Sequence, residues 1–244
     1  MSGRILILRP EPGATETAAR SRALGLDPVV APLFTVRPVA WDPPDPREFD
    51  AMLITSANAV RNGGPGLSAF AHLPCYAVGE ASAAAARAAG FEALWIGGGD
   101  AMAAAAAMAE RGVRRAFHPC GRDHVAADAE GVRIERRVVY ASEPVPGLPE
   151  RAANALTRGA VALLHSPRAA SQFASLVERA GLERGAIAAI SPNAAAEAGP
   201  GWRSVGVAAV PDDAALLEVA AKLCQAMEKE AQDREGRWSN TSRP

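Results

Sequence analysis

Short apolar runs alternate with longer stretches rich in alanine, arginine and glutamate along most of the chain. Five such stretches end at a glycine followed by an apolar residue: Gly25-Leu26, Gly90-Phe91, Gly112-Val113, Gly131-Val132 and Gly181-Leu182. Glycine just past a helix takes left-handed backbone without steric cost, and the apolar residue after it packs back on the last turn. Each pair therefore predicts a helix stop, and each leads into a predicted strand: residues 28–31, 92–96, 114–118, 133–140 and 186–190. Further runs at 5–8, 51–54, 76–78, 161–164 and 205–208 are short and apolar at every position, the pattern of strands buried on both faces. The last helix is the plainest, with Leu216, Val219, Leu223 and Met227 at helical spacing and Asp212 as its N-cap. Strand–helix alternation predicts parallel sheets with helices on both sides.

The pattern also repeats. Residues 49–59, with Ile54-Thr55-Ser56-Ala57-Asn58, parallel residues 159–169, with Leu164-His165-Ser166-Pro167-Arg168. Downstream, Tyr76-Ala77-Val78-Gly79 parallels Ala188-Ala189-Ile190-Ser191, and Leu8-Arg9-Pro10 parallels Phe117-His118-Pro119. This is a duplicated α/β unit. Two extended stretches interrupt it, 34–39 and 136–142, each followed by a proline-rich segment. They predict two crossings between the same two domains. The expected fold is α/β: two similar parallel-sheet (Rossmann/flavodoxin-like) domains joined by a two-stranded linker, with the first domain discontinuous. Its bounds are 1–33 with 142–230 for domain 1, 38–137 for domain 2, 34–37 and 138–141 for the linker strands, and 231–244 for a flexible tail.

Composition narrows the function. Near-balanced charge (Lys+Arg 26, Asp+Glu 27) gives no global field for nucleic acid. Almost all the positive charge is arginine, since lysine occurs only at Lys222 and Lys229. No apolar run approaches the roughly 20 residues of a membrane span, and the N-terminal run is too short for a signal peptide. Three widely spaced cysteines, Cys75, Cys120 and Cys224, argue for a reducing, cytoplasmic setting.

Ligands of parallel sheets bind beyond the carboxyl ends of the strands. The residues at those corners are Arg9; Thr55, Ser56 and Asn58; Gly79 and Ser82; Cys120, Gly121 and Arg122; Ser166 and Arg168; Ser191 and Asn193. Each Ser or Asn alone reads as an N-cap. Their recurrence in both halves, expected to face one shared cleft, points to an anionic, multi-carboxylate ligand. Nucleotide motifs are missing: there is no G-x-G-x-x-G after a strand and no Walker sequence, and Gly97-Gly98-Gly99-Asp100 reads as a turn. His118, Cys120 and His124 match no common zinc spacing, while His72 and His165 read as structural.

Taken in order, Leu8-Arg9-Pro10, Leu53-Ile54-Thr55-Ser56-Ala57-Asn58-Ala59-Val60-Arg61, Tyr76-Ala77-Val78-Gly79 with Ser82, Cys120-Gly121-Arg122 and Val139-Tyr140 resemble the uroporphyrinogen-III synthase family over residues 4–225. The chain departs from the family at Ser191-Pro192-Asn193, where Gly-Pro-Thr is usual, and in a short helix expected after Arg122. The resemblance implies a fold of two α/β domains on a two-stranded ladder. It also implies the substrate hydroxymethylbilane, a linear tetrapyrrole polycarboxylate, closed to uroporphyrinogen III with inversion of ring D and loss of water, without cofactor or metal. Arg9, Thr55, Ser56, Asn58, Gly79, Ser82, Gly121, Arg122, Ser166, Arg168, Ser191 and Asn193 would then share its carboxylates. Tyr140 matches the family's tyrosine. It is either the proton donor to the departing hydroxyl, since a phenol stays protonated at neutral pH, or a strand residue packed at the linker. The expected protein is a monomer, with no nucleic-acid or membrane partner and a possible transient hand-over from the preceding pathway enzyme. A two-lobed, hinged binding protein without catalysis shares the doubled plan and is the alternative.

Overall fold

In a computed structural model, residues 3–97, 101–124, 126 and 128–241 are described, the side chains of 93, 94 and 234–241 excepted. The chain divides into two compact units, one of Met1–Thr35 with Pro144–Pro244 and the other of Val36–Glu143.

The first unit holds strands β1 (Arg4–Ile7) and β2 (Asp27–Val30), and later β9 (Val161–Leu164), β10 (Ala186–Ala189) and β11 (Ser204–Val207). Its sheet is ordered β11-β10-β9-β1-β2, with every pair parallel. Alternate residues face opposite sides of a strand. Leu6, Ala162, Leu164, Ile187 and Ala189 pack on one face with α5 (Glu150–Thr157), α6 (Pro167–Arg179) and α7 (Pro192–Glu197). Ile5, Ile7, Val161, Leu163 and Ala188 pack on the other with α1 (Gly13–Ala23) and α8 (Asp213–Thr241). The continuous apolar runs of the sequence thus supply both cores. Asp212 caps α8, its Oδ1 accepting the Ala215 N–H at 2.7 Å. That helix continues past Gln232, where the apolar repeat stops and an irregular tail was expected; good helix formers such as Glu, Lys, Gln and Arg carry it there without a stripe.

The second unit holds β4 (Ala51–Ile54), β5 (Cys75–Val78), β6 (Ala93–Gly97), β7 (Arg115–Gly121) and β8 (Arg133–Pro144). With β3 (Phe34–Pro38) they form a sheet ordered β3-β8-β7-β4-β5-β6. Helices α2 (Ala57–Asn62), α3 (Glu80–Ala88) and α4 (Ala101–Glu110) connect its strands. Met52, Ile54 and Phe117 meet Phe70 and Ala86 on one face, and Leu53, Tyr76 and Ala116 meet Ala104 and Met108 on the other.

Two expectations change in this unit. Strand β7 runs to Gly121, three residues beyond the predicted end, because its partner β8 is long enough to pair with it throughout. No helix occurs among the described residues of 122–132; Gly131 instead turns the chain beside an antiparallel bridge between Ala129 and Val132. A glycine with positive φ, 82° here, serves a tight β-turn as well as a helix stop, and the sequence alone does not separate the two. Among the described residues no helix is long and apolar enough to cross a membrane, and all three cysteines are free and buried.

Candidate active site

Open parallel sheets form a crevice at their carboxyl ends where the strand order reverses, one strand leading on to a neighbour on its left and the next to a neighbour on its right. In the second unit this switch lies between β4 and β7. A cavity of about 310 Å³ opens there, and its walls include Thr55, Ser56, Gly121, His124 and Tyr140.

Thr55 and Ser56 form the turn after β4. Ser56 has extended backbone, and its Oγ accepts the Asn58 N–H at 3.2 Å, capping α2. Thr55 Oγ1 lies 3.0 Å from Nε2 of His118, which projects from β7 and is completely buried. Burial, with Arg136 and His124 nearby, pushes the His118 pKa down to about 3, so the ring is neutral at ordinary pH. His124 Nδ1 lies 2.9 Å from the Gly121 carbonyl. Both rings are therefore turned to oxygen atoms, and no group of three or more His, Cys, Asp or Glu suited to a metal occurs among the described residues.

Tyr140 comes from β8. The ladder register between β7 and β8 slips at Cys120/Gly121, setting Gly121 opposite Tyr140, and the Arg122 N–H donates to the Tyr140 carbonyl at 3.0 Å. Such irregularities at strand ends re-aim side chains. The phenol ring lies directly against Gly121: a Cβ at this position would stand 2.7 Å from Tyr140 Cζ and 2.8 Å from its Oη. Gly121 is thus the space that the ring occupies. Arg122 is exposed, its Nη1 3.7 Å from Glu143 Oε1. Gly79, at φ 77° and ψ 156°, starts α3 in backbone that suits glycine. Ser82 is buried in α3 at 5% exposure, along with Ala83 and Ala86; the helix starts at Glu80, which turns this position inward rather than toward the corner.

In the first unit Arg9, Ser166 and Ser191 follow β1, β9 and β10, three neighbouring parallel strands, and so share one sheet edge. Ser166 and Ser191 cap α6 and α7, accepting the N–H of Ala169 at 3.1 Å and of Ala194 at 3.2 Å. A capping oxygen uses a lone pair and keeps its own O–H to donate. Arg168 stacks over the Phe34 ring at 4.6 Å, and Asn193 is exposed in α7.

Arg9 belongs to a cluster that the sequence did not disclose. Asp213, at the start of α8, accepts from Thr17 Oγ1 at 2.8 Å, Arg20 Nε at 2.7 Å and His165 Nε2 at 2.9 Å, with Arg9 Nη1 3.5 Å away. Burial raises the Asp213 pKa, but the bonds from His165, Thr17 and Arg20 outweigh it and hold the carboxyl well below the usual range. Burial lowers the His165 pKa, with the Asp213 bond in opposition. His165 is structural in this sense: it ties β9 to α8. His72 is exposed in a turn. The partners Thr17 and Asp213 lie 196 residues apart, a separation at which no local pattern could pair them. His118 did leave a trace, because it stands where Arg9 stands in the duplicated Leu8-Arg9-Pro10 and Phe117-His118-Pro119. Of the glycine run at 97–100, Gly98, Gly99 and Asp100 lie outside the described residues.

Comparison with known proteins agrees with this architecture. A mutant uroporphyrinogen III synthase from the extremely thermophilic bacterium Thermus thermophilus superposes with a TM-score of 0.51 at 18% identity, covering 93% of this chain and 100% of that one. Another structure, Thermus thermophilus uroporphyrinogen III synthase, gives a TM-score of 0.40 at 17% identity, covering 92% and 100%. A search of curated proteins gives no match. The family model HEM4, "Uroporphyrinogen-III synthase HemD", matches residues 15–218, most of the chain. On that match the chain belongs to the uroporphyrinogen-III synthase family.

Proposed function

We propose that this protein closes hydroxymethylbilane to uroporphyrinogen III, inverting ring D and releasing water, as a cofactor-independent hydro-lyase of tetrapyrrole (heme, siroheme or cobalamin) biosynthesis. The observation that carries the reading is the Tyr140 phenol seated on Gly121 at the β4/β7 switch, beside the Thr55 and Ser56 hydroxyls, in a chain of this family.

Loss of water needs one proton at the departing hydroxyl, and the Tyr140 O–H supplies it. The C–O bond breaks, the hydroxyl leaves as water, and the pyrrole nitrogen lone pair stabilises the cationic azafulvene that remains. The rest of the task is geometric. The two ends of a flexible chain must be brought together in a spiro-like arrangement, and positioning of that kind supplies rate without added functional groups. Uncatalysed closure gives the uninverted isomer, so the protein must also steer. The substrate's carboxylates are met by arginines and by hydroxyls that donate, a set suited to anions in a protein with almost no lysine. Hand-over of substrate from the preceding enzyme suits an intermediate that closes spontaneously. Free buried thiols suit a reducing cytoplasm, and a monomer suffices because all the proposed groups come from one chain.

The test is to supply freshly made hydroxymethylbilane and separate the isomers. Type III above the spontaneous background supports the reading; type I alone, at the spontaneous rate, rejects it.

A further inference from the structure

The cavity has a polar group beneath its wall that the reaction scheme does not use. His118 is completely buried, one layer behind Thr55; its Nε2 lies 3.0 Å from Thr55 Oγ1, and its ring stands edge-on to that of His124 with centroids 6.1 Å apart. Among the described residues its Nδ1 has no hydrogen-bond partner. A neutral imidazole carries one proton, so one tautomer leaves a buried N–H unpaired and the other leaves a buried lone pair. An orphaned N–H in a dry interior is the rarer of the two. The proton therefore resides on Nε2 and is donated to Thr55.

We infer that His118 is a positioning residue that fixes the polarity of the cavity: by donating to Thr55 Oγ1 it turns the Thr55 O–H outward as a dedicated donor to an acceptor group of the substrate. The inference rests on the cavity being the synthase site. Ser56 is set in the same sense from another direction, since its oxygen accepts the Asn58 N–H at 3.2 Å. Two adjacent hydroxyls then present O–H groups on the wall that also carries the Tyr140 phenol. Such a wall grips a carboxylate or a departing hydroxyl and offers little to a group that must donate.

Two measurements test this. The first needs no substrate: long-range 15N–1H correlation of the imidazole nitrogens in the full-length protein. A protonated Nε2 and a bare Nδ1 are expected, and a proton on Nδ1 overturns the inference whatever the protein catalyses. The second is a cycle in kcat/KM. His118→Asn is polar but too short to reach Thr55, and is expected to lose about fivefold to tenfold, the worth of one hydrogen bond. His118→Gln, whose amide N–H reaches the Nε2 position, is expected to stay within about twofold of wild type. In a Thr55→Val background His118→Asn should cost nothing further. An equal loss in that background, or no rescue by His118→Gln, shows that the histidine acts otherwise than through Thr55. If the wild type forms no type III isomer, the synthase reading fails while the tautomer measurement still decides the geometry.

Discussion

Replacing Gly121 by alanine probes the geometry of the site with a single methyl group. Gly121 lies outside the positive-φ region, so alanine is acceptable to its backbone. Its new Cβ, however, would stand 2.7 Å from Tyr140 Cζ and 2.8 Å from Oη. Carbon atoms in contact prefer about 3.5–4.0 Å, so the phenol must withdraw by about 1 Å. The ring is half-buried and borders the cavity, which gives it room to move. The stability cost should therefore fall at the low end of the roughly 1–3 kcal/mol of an overpacked site. A reacting group misplaced by about 1 Å can lose about a hundredfold in rate, or about 3 kcal/mol of barrier. Gly121→Ala is thus expected to melt within a few degrees of wild type while kcat for type III formation drops about a hundredfold. Because the loss acts through Tyr140, adding Gly121→Ala to Tyr140→Phe should cost little more than Tyr140→Phe alone. Initial rates with hydroxymethylbilane generated in situ, and thermal melts of the same four proteins, provide the comparison. Wild-type kcat in Gly121→Ala, or an undiminished loss in the Tyr140→Phe background, refutes the reasoning.

Other expectations are open to measurement. Tyr140→Phe should lower kcat by about a hundredfold or more, within the range of a lost general acid, while product affinity by titration stays within about twofold; unchanged kinetics removes Tyr140 from the mechanism. Ser56→Ala combined with Ser166→Ala should cost about 1 kcal/mol per cap in urea unfolding and also weaken substrate affinity; stability loss with unaltered affinity makes both serines caps alone. Stability should fall with acid through His118: unfolded histidine takes up its proton near pH 6.5, the buried one only at about 3, so stability is lost as pH drops from 6.5 toward 3. Between pH 7 and pH 5 that amounts to about 2 kcal/mol. His118→Gln should remove this share and leave that of His165, whose pKa burial also lowers; an unaltered pH slope in the variant contradicts it.

Much of the architecture was written in local patterns. Val161–Leu164 and Ala51–Ile54 are strands with the expected bounds because a run of only four apolar residues, too short for a helix, suits a strand covered on both sides. Failures came where one local signal serves two structures, as at Gly131, or where a partner strand extends pairing, as at Gly121. For the candidate site, the corner pattern singled out Thr55, Ser56 and Gly121 and the resemblance added Tyr140; the structure brings these four to one cavity. What Gly121 contributes was not, since the room it leaves for Tyr140 depends on a slip in register between two strands. Hydroxyl chemistry says nothing of which side of a helix a residue faces, and Ser82 lies buried in α3. The Asp213 cluster joins α1, β9 and α8, and only the folded chain assembles it.

If chemistry takes place in the cavity of the second unit, product must bind there, and backbone amide NMR during titration with uroporphyrinogen III detects it. Saturable shifts are expected at Thr55, Ser56, Gly121 and Arg122, with the same titration in Gly121→Ala moving them less. Saturable binding of product that leaves those four amides unmoved contradicts it.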